Sequence, residues 1–187
     1  MHPITAISLI MGMALSSNGW ASNPDKGEAE FRSIYEQLIE INTTLSVGSC
    51  TEASQAMADR LKAAGIPAGD IHIIVPPEWP KQGNLIASIP GSSTDKGAIL
   101  LLAHIDVVEA NREDWERDPF TLIEENGYFY ARGAADDKAM AAIFVDAMVR
   151  YQQTGYKPER TIKLALTCGE ESPNTFNGVS YLLEHNR

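Results

Sequence analysis

The sequence predicts an α/β fold, a mixed β-sheet flanked by helices, and three observations carry that expectation. Short apolar runs rich in β-branched residues alternate with longer segments of helical period. One of the runs, residues 98–108, opens as an unbroken aliphatic stretch of the kind found in a buried strand. The segment 138–153, KAMAAIFVDAMVRYQQ, is apolar nearly all round, as a helix packed against a sheet must be.

The elements follow in order. Residues 4–15, ITAISLIMGMAL, carry no charge and are too few to span a bilayer, and Gly19 and Ala21 follow in small-x-small spacing. This reads as a secretory signal over 1–21, cleaved after Ala21, which places the remaining 22–187 in a secreted or periplasmic compartment. The segment departs from the usual pattern in having His2 but no Lys or Arg ahead of the apolar core. Phe31, Ile34, Tyr35, Leu38 and Ile41 recur at helical spacing, so a helix is expected over 28–42. A second helix starts at Ser49, where Ser-x-x-Glu with Glu52 is a capping box, and stops near Gly65 ahead of Pro67.

Strands are expected over 71–75 and 84–89, and the turn-rich PGSSTDKG joins the latter to the 98–108 run, which suggests an antiparallel pair. Asn126-Gly127 between alternating apolar residues signals a hairpin that returns Gly133 toward the sheet. After the 138–153 helix, ended by Gly155, TIKLALT over 161–167 is a further buried strand. The chain of 187 residues shows no internal repeat, so one domain is expected over 22–187. A formal charge of -10 with acidic residues spread along the chain argues against nucleic acid and anionic membranes as partners. Cys50 and Cys168 are the only cysteines, and one disulfide or two buried thiols are equally open readings.

Polar groups intrude on the apolar runs at three places. His104 and Asp106 lie two apart near the carboxyl end of the 98–108 run, so they share a face, and the carboxylate can orient the imidazole for a metal. Asp136 and Asp137 stand immediately before the buried helix, where its N-terminus partly offsets the cost of an anion. Glu170 and Glu171 sit just past the 161–167 strand, where such sheets present their chemistry. Each pair has an ordinary explanation: a buried His–Asp hydrogen bond, a helix cap, a solvated loop. Their convergence at strand ends would concentrate negative charge that only a divalent cation neutralises. One imidazole with hard oxygen ligands suits Zn2+, with Mn2+ or Co2+ as alternatives, and one bridging carboxylate would make a two-ion hydrolytic site.

The stretches LLLAHIDVVEANREDWERDPF, YFYARGAADDKAMAA and TIKLALTCGEES resemble three consecutive signatures of one zinc metallopeptidase family. That family contains aminoacylase, glutamate carboxypeptidase, succinyl-diaminopimelate desuccinylase, acetylornithine deacetylase and several dipeptidases. The resemblance runs from about residue 28 to the last residue. It implies metal ligation by His104, Asp136 as the bridge and Glu171, with Asp106 behind His104 and Glu170 as general base. It further implies two Zn2+ ions in the complete enzyme and a cis peptide between Asp136 and Asp137. The implied substrates are short peptides or N-acyl amino acids, and a homodimer is implied for the full-length protein. ADDKA and the Trp115–Phe120 segment resemble the peptidase and carboxypeptidase branch most.

The family pattern also requires an acidic ligand about two dozen residues beyond the paired glutamates and a histidine farther on. His2 lies in the signal segment, His72 in a separate strand, and His185 in the last turn of a helix, where it complements the helix dipole. The expectation is therefore the N-terminal part of a larger catalytic domain, without its lid-like domain, holding metal incompletely and not turning over. A noncatalytic binding module that keeps the fold is the competing reading. A metal-free α/β hydrolase is disfavoured, since no Gly-x-Ser-x-Gly elbow is present.

Overall fold

Helix α1 spans Pro24–Glu40 in the computed structural model of the protein, which describes residues 24–172 and 175–185. The signal-like segment 1–21 lies outside the described residues. The helical stripe read from the sequence is the buried one: Ile34, Tyr35, Leu38 and Ile39 enter the core. Each fully buried aliphatic side chain of this kind contributes roughly 1.5–3 kcal/mol. Helix α2, Cys50–Ala63, is capped as expected, with Ser49 Oγ accepting from the Glu52 amide at 3.1 Å. It buries Ala53, Met57 and Leu61.

The main sheet contains β1 (Ile71–Ile74), β2 (Asn84–Ile89), β3 (Ile99–His104) and β6 (Ile162–Thr167), in the order β1-β2-β6-β3. A two-stranded ribbon of β4 (Ile123–Glu125) and β5 (Tyr128–Tyr130) stands apart. Its turn is the predicted Asn126-Gly127, with φ of 54° and 80°, the left-handed pair that a tight hairpin needs. Helix α3, Lys138–Gln153, lies with α1 and α2 on one face of the main sheet, its Ala141, Ala142, Val145 and Met148 fully buried. On the other face α4, Gly178–His185, leaves a groove of about 840 Å³ lined by Leu100, Leu102, Ile86, Val179 and Leu183.

Two sequence expectations are corrected. β2 and β3 run in opposite directions, but they are not partners: β6 lies between them, antiparallel to β2 and parallel to β3. The reason is in the link over 90–98, which crosses the start of β6 instead of turning tightly. Ser92 and Ser93 amides donate to the Pro158 and Glu159 carbonyls at 3.0 and 2.9 Å, and Arg160 donates back to the Gly97 carbonyl at 2.6 Å. A crossing of two strand spacings, about 10 Å, is well within reach of such a link. The 98–108 run is also not one strand. Its ladder ends at His104, and 105–107 continue as extended chain held by Ile105 N to Thr167 O at 2.8 Å and an isolated bridge between Thr44 and Val107.

The two cysteines are joined as a Cys50–Cys168 disulfide, resolving the open choice between a disulfide and free thiols. It ties the start of α2 to the residue that follows β6.

Candidate metal centre

His104 ends β3 and is aligned with Thr167 at the end of β6. Parallel neighbours finish side by side, so the segments 105–107 and 168–172 leave the same edge of the sheet. The second of these is firmly held. The Cys168 amide donates to Asn84 Oδ1 at 3.0 Å and the Gly178 amide to the Cys168 carbonyl at 2.7 Å. The third contributor is the turn before α3, where the peptide between Asp136 and Asp137 is cis, as the family resemblance implied. Gly133 opens that turn at φ 77°, and a Cβ there would sit 2.6 Å from Val107 Cγ1, so the turn can approach the end of β3 only with glycine. The Tyr35 hydroxyl donates to the Ala134 carbonyl at 2.6 Å and holds the turn from the helix side.

Three donor groups meet where these segments converge. One ligand atom each from His104, Asp136 and Glu171 lie within 4.8 Å of one another. His104 Nε2 is 2.9 Å from Asp136 Oδ1 and 3.7 Å from Glu170 Oε2. On the other side of the ring, Nδ1 is 3.2 Å from the Asp106 carbonyl and 3.6 Å from Asp106 Oδ1. Asp106 is buried; its Oδ2 accepts from the Glu171 amide at 2.9 Å, while Oδ1 has no hydrogen-bond partner. Asp106 therefore meets His104 through its carbonyl, with its carboxylate close by, and holds the Glu171 backbone through Oδ2, a second contact beyond the one the sequence suggested. Asp137 occupies the N-cap position of α3 without a capping hydrogen bond, so the helix-cap explanation does not account for it.

The electrostatics reflect the crowding. Burial is the largest influence on His104 and disfavours its imidazolium. The Asp106 charge, the Asp136 hydrogen bond, the Asp106 carbonyl and the Glu170 charge together outweigh it and raise the pKa. Glu171 is raised by burial first, then by the Asp136, Glu170 and Asp106 charges, against His104. Asp137 is raised by burial, helped by Asp136 and Glu170 and opposed by His104.

These shifts share a sign. A histidine raised above its ordinary value of about 6.5 contributes stability below that value and loses it as pH rises through the folded pKa. A raised carboxyl likewise favours the folded state when protonated and ceases to do so as pH rises. Metal-free protein is thus expected to melt at a lower temperature at pH 7 than at pH 5. Saturating Zn2+ should reverse the slope, because ligation requires the deprotonated groups. The comparison stays below pH 7, since Lys138, lowered to about 7 by burial against the Asp106 charge, adds an opposite slope above it. Thermal unfolding at both pH values, with and without Zn2+, checks this; a metal-free midpoint that rises with pH contradicts it.

The residues present fit a divalent cation. One imidazole and several carboxylate oxygens form a donor set suited to zinc, manganese or cobalt, and a carboxylate raised by burial and by its neighbours' charge, as Glu171 is, is one a cation would relieve. The other described histidines stand apart: His72 lies in β1, and His185 places Nδ1 2.9 Å from the Tyr181 carbonyl in α4. Sequence reasoning missed Lys138 and Asn84. A lysine opening an otherwise apolar helix was a readable signal for the first; the second, an asparagine at the start of a strand, offered none.

Residues 100–187 match the model described as peptidase family M20/M25/M40. This stretch belongs to that family. The family stretch begins inside β3 and includes every residue of the converging cluster. Pig (Sus scrofa) aminoacylase-1 is 27% identical over 152 residues, 81% of this chain and 36% of that protein. The Beta-Ala-Xaa dipeptidase of Lactobacillus delbrueckii subsp. lactis is 38% identical over 86 residues, 46% of this chain and 18% of that protein. Among solved structures, human carnosine dipeptidase 1 superposes with a TM-score of 0.65 at 22% identity, covering 86% of this chain and 36% of that one. The chain thus spans about a third or less of the length of these relatives, and the structural likeness establishes the M20-type α/β fold.

Proposed function

We propose that this chain carries part of the catalytic centre of a metal-dependent hydrolase that cleaves amide bonds in short peptides or N-acyl amino acids. The supporting observation is the convergence of His104, Asp136 and Glu171 from three separate segments onto one point. The names of the matched relatives, an aminoacylase and dipeptidases, support the substrate class.

In this reading His104, Asp136 and Glu171 hold divalent metal, Zn2+ first among the candidates. When bound, it supplies Lewis acidity toward an amide carbonyl and toward water. Asp106 fixes the ring of His104 from the Nδ1 side and the Glu171 backbone from below. Glu170 is exposed and its carboxylate lies 3.7 Å from His104 Nε2, free to take a proton from water and return it to the leaving amine nitrogen. The signal segment 1–21 and export to the periplasm or medium belong to the same proposal, as does the limited capacity of the 187-residue chain, which alone holds fewer than two tight ions and does not turn over.

Titration with Zn2+, counting metal retained after desalting, tests this. The expected result is measurable uptake of fewer than two tight ions per chain, with Glu170→Gln retaining it fully. In any longer polypeptide containing this chain the same substitution removes turnover. Two tight ions would refute the incomplete centre, and no uptake at all would favour a noncatalytic module.

A further inference from the structure

Lys138 is fully buried at the first position of α3, and it is the only buried cationic side chain among the described residues. Its Nζ donates to the Ile41 carbonyl at 2.7 Å, just past the end of α1. Its amide donates to the Gly133 carbonyl at 3.2 Å, closing the turn that carries Asp136 and Asp137. Its stem lies against Gly133, which in turn lies against Val107. The segment that receives Nζ is itself bound to the end of β3. Thr43 Oγ1 donates to the Ile105 carbonyl at 2.6 Å, the Val107 amide donates to the Thr43 carbonyl at 3.3 Å, and Thr44 bridges Val107.

We propose that Lys138 is a positioning residue of the metal centre: its buried amine bolts the Asp136–Asp137 turn to the 41–44 segment, and through that segment to the exit of β3, so that Asp136 stays opposite His104. The inference rests on the metal-centre reading above. A methionine would fill nearly the same volume without the desolvation cost of an amine, so packing alone does not account for lysine here. The position also sets a positive group in the field of Asp106, whose Oδ1 is buried without a hydrogen-bond partner. Loss of the amine leaves that carboxylate uncompensated and frees the turn from the 41–44 segment in one step.

The 187-residue protein, titrated with Co2+ and followed by its visible absorption and by retained metal, provides the test. Lys138→Met is expected to weaken Co2+ binding about 10- to 100-fold and to change the absorption spectrum, the scale seen when a partner behind a metal ligand is lost. Met148→Ala, in the buried face of α3 about three turns along the helix, is the control. It should lower the melting temperature and leave Co2+ affinity unchanged. Thr43→Val, which removes only the Ile105 contact, should weaken Co2+ binding by a smaller factor, and it decides the matter if Lys138→Met does not fold. Wild-type affinity in Lys138→Met, or in Thr43→Val where Lys138→Met does not fold, overturns the positioning role while leaving the metal centre standing. Failure of the wild-type protein to take up Co2+ overturns both.

Discussion

Reduction of the Cys50–Cys168 disulfide is expected to lower the melting temperature by about 10–15 °C. The bond closes a loop with a sequence separation of 118. In the chain-entropy picture a loop of that size restricts the unfolded state by about 4–5 kcal/mol. For a domain of 150–250 residues each kcal/mol moves the midpoint by roughly 2–4 °C, and the lower part of that range gives the stated shift. The effect should extend to the metal centre, because Cys168 stands two residues before Glu170 and the loop would lose its covalent tie to the start of α2. Thermal unfolding of the protein with and without reductant, and of a Cys50→Ala/Cys168→Ala double variant, measures the loss. A shift under about 2 °C in both would mean that native contacts already hold this loop and that the cross-link contributes little.

Asp136→Ala should produce the largest change in metal uptake, a loss of at least about a hundredfold, since a ligand is removed and not merely a residue behind one. The carboxylate is exposed and makes its one side-chain hydrogen bond to His104, so the fold should tolerate the change. Two measurements separate this from general damage. The melting temperature of the metal-free protein should change little, while the His104 pKa, followed by NMR, should fall, because the Asp136 hydrogen bond is one of the influences that raise it. Unchanged metal affinity would remove Asp136 from the centre and leave its contact with His104 a surface ion pair.

The legible and illegible parts of this molecule divide along physical lines. Helical period and apolar runs located α1, α3 and the strands of the main sheet, because burial on one stripe or one face leaves a direct trace in the order of apolar residues. Ser49 and Asn126-Gly127 were readable since capping and left-handed turns depend on local side-chain chemistry alone. The insertion of β6 between β2 and β3 was not readable. Strand adjacency depends on where a link travels, and the 90–98 link is fixed by contacts with residues some sixty positions later. The site divides similarly. His104, Asp136 and Glu171 stood out as charges at the ends of apolar runs. Lys138 opens an otherwise apolar helix, which was a cue, but only the three-dimensional position of the Ile41 carbonyl shows where its amine goes.

The sheet order has a consequence for how the chain acquires its shape. β2 and β3 leave the ribosome one after the other but share no register, and the slot between them is filled by a strand that appears some sixty residues later. Nothing can zip across that gap by local hairpin closure, so assembly waits on contacts distant in sequence and is correspondingly slow. Glu171 arrives just behind the strand that fills the slot, whereas His104 and Asp136 precede it. Synthesis past residue 171 is therefore the moment at which a nascent chain could first gather all three groups.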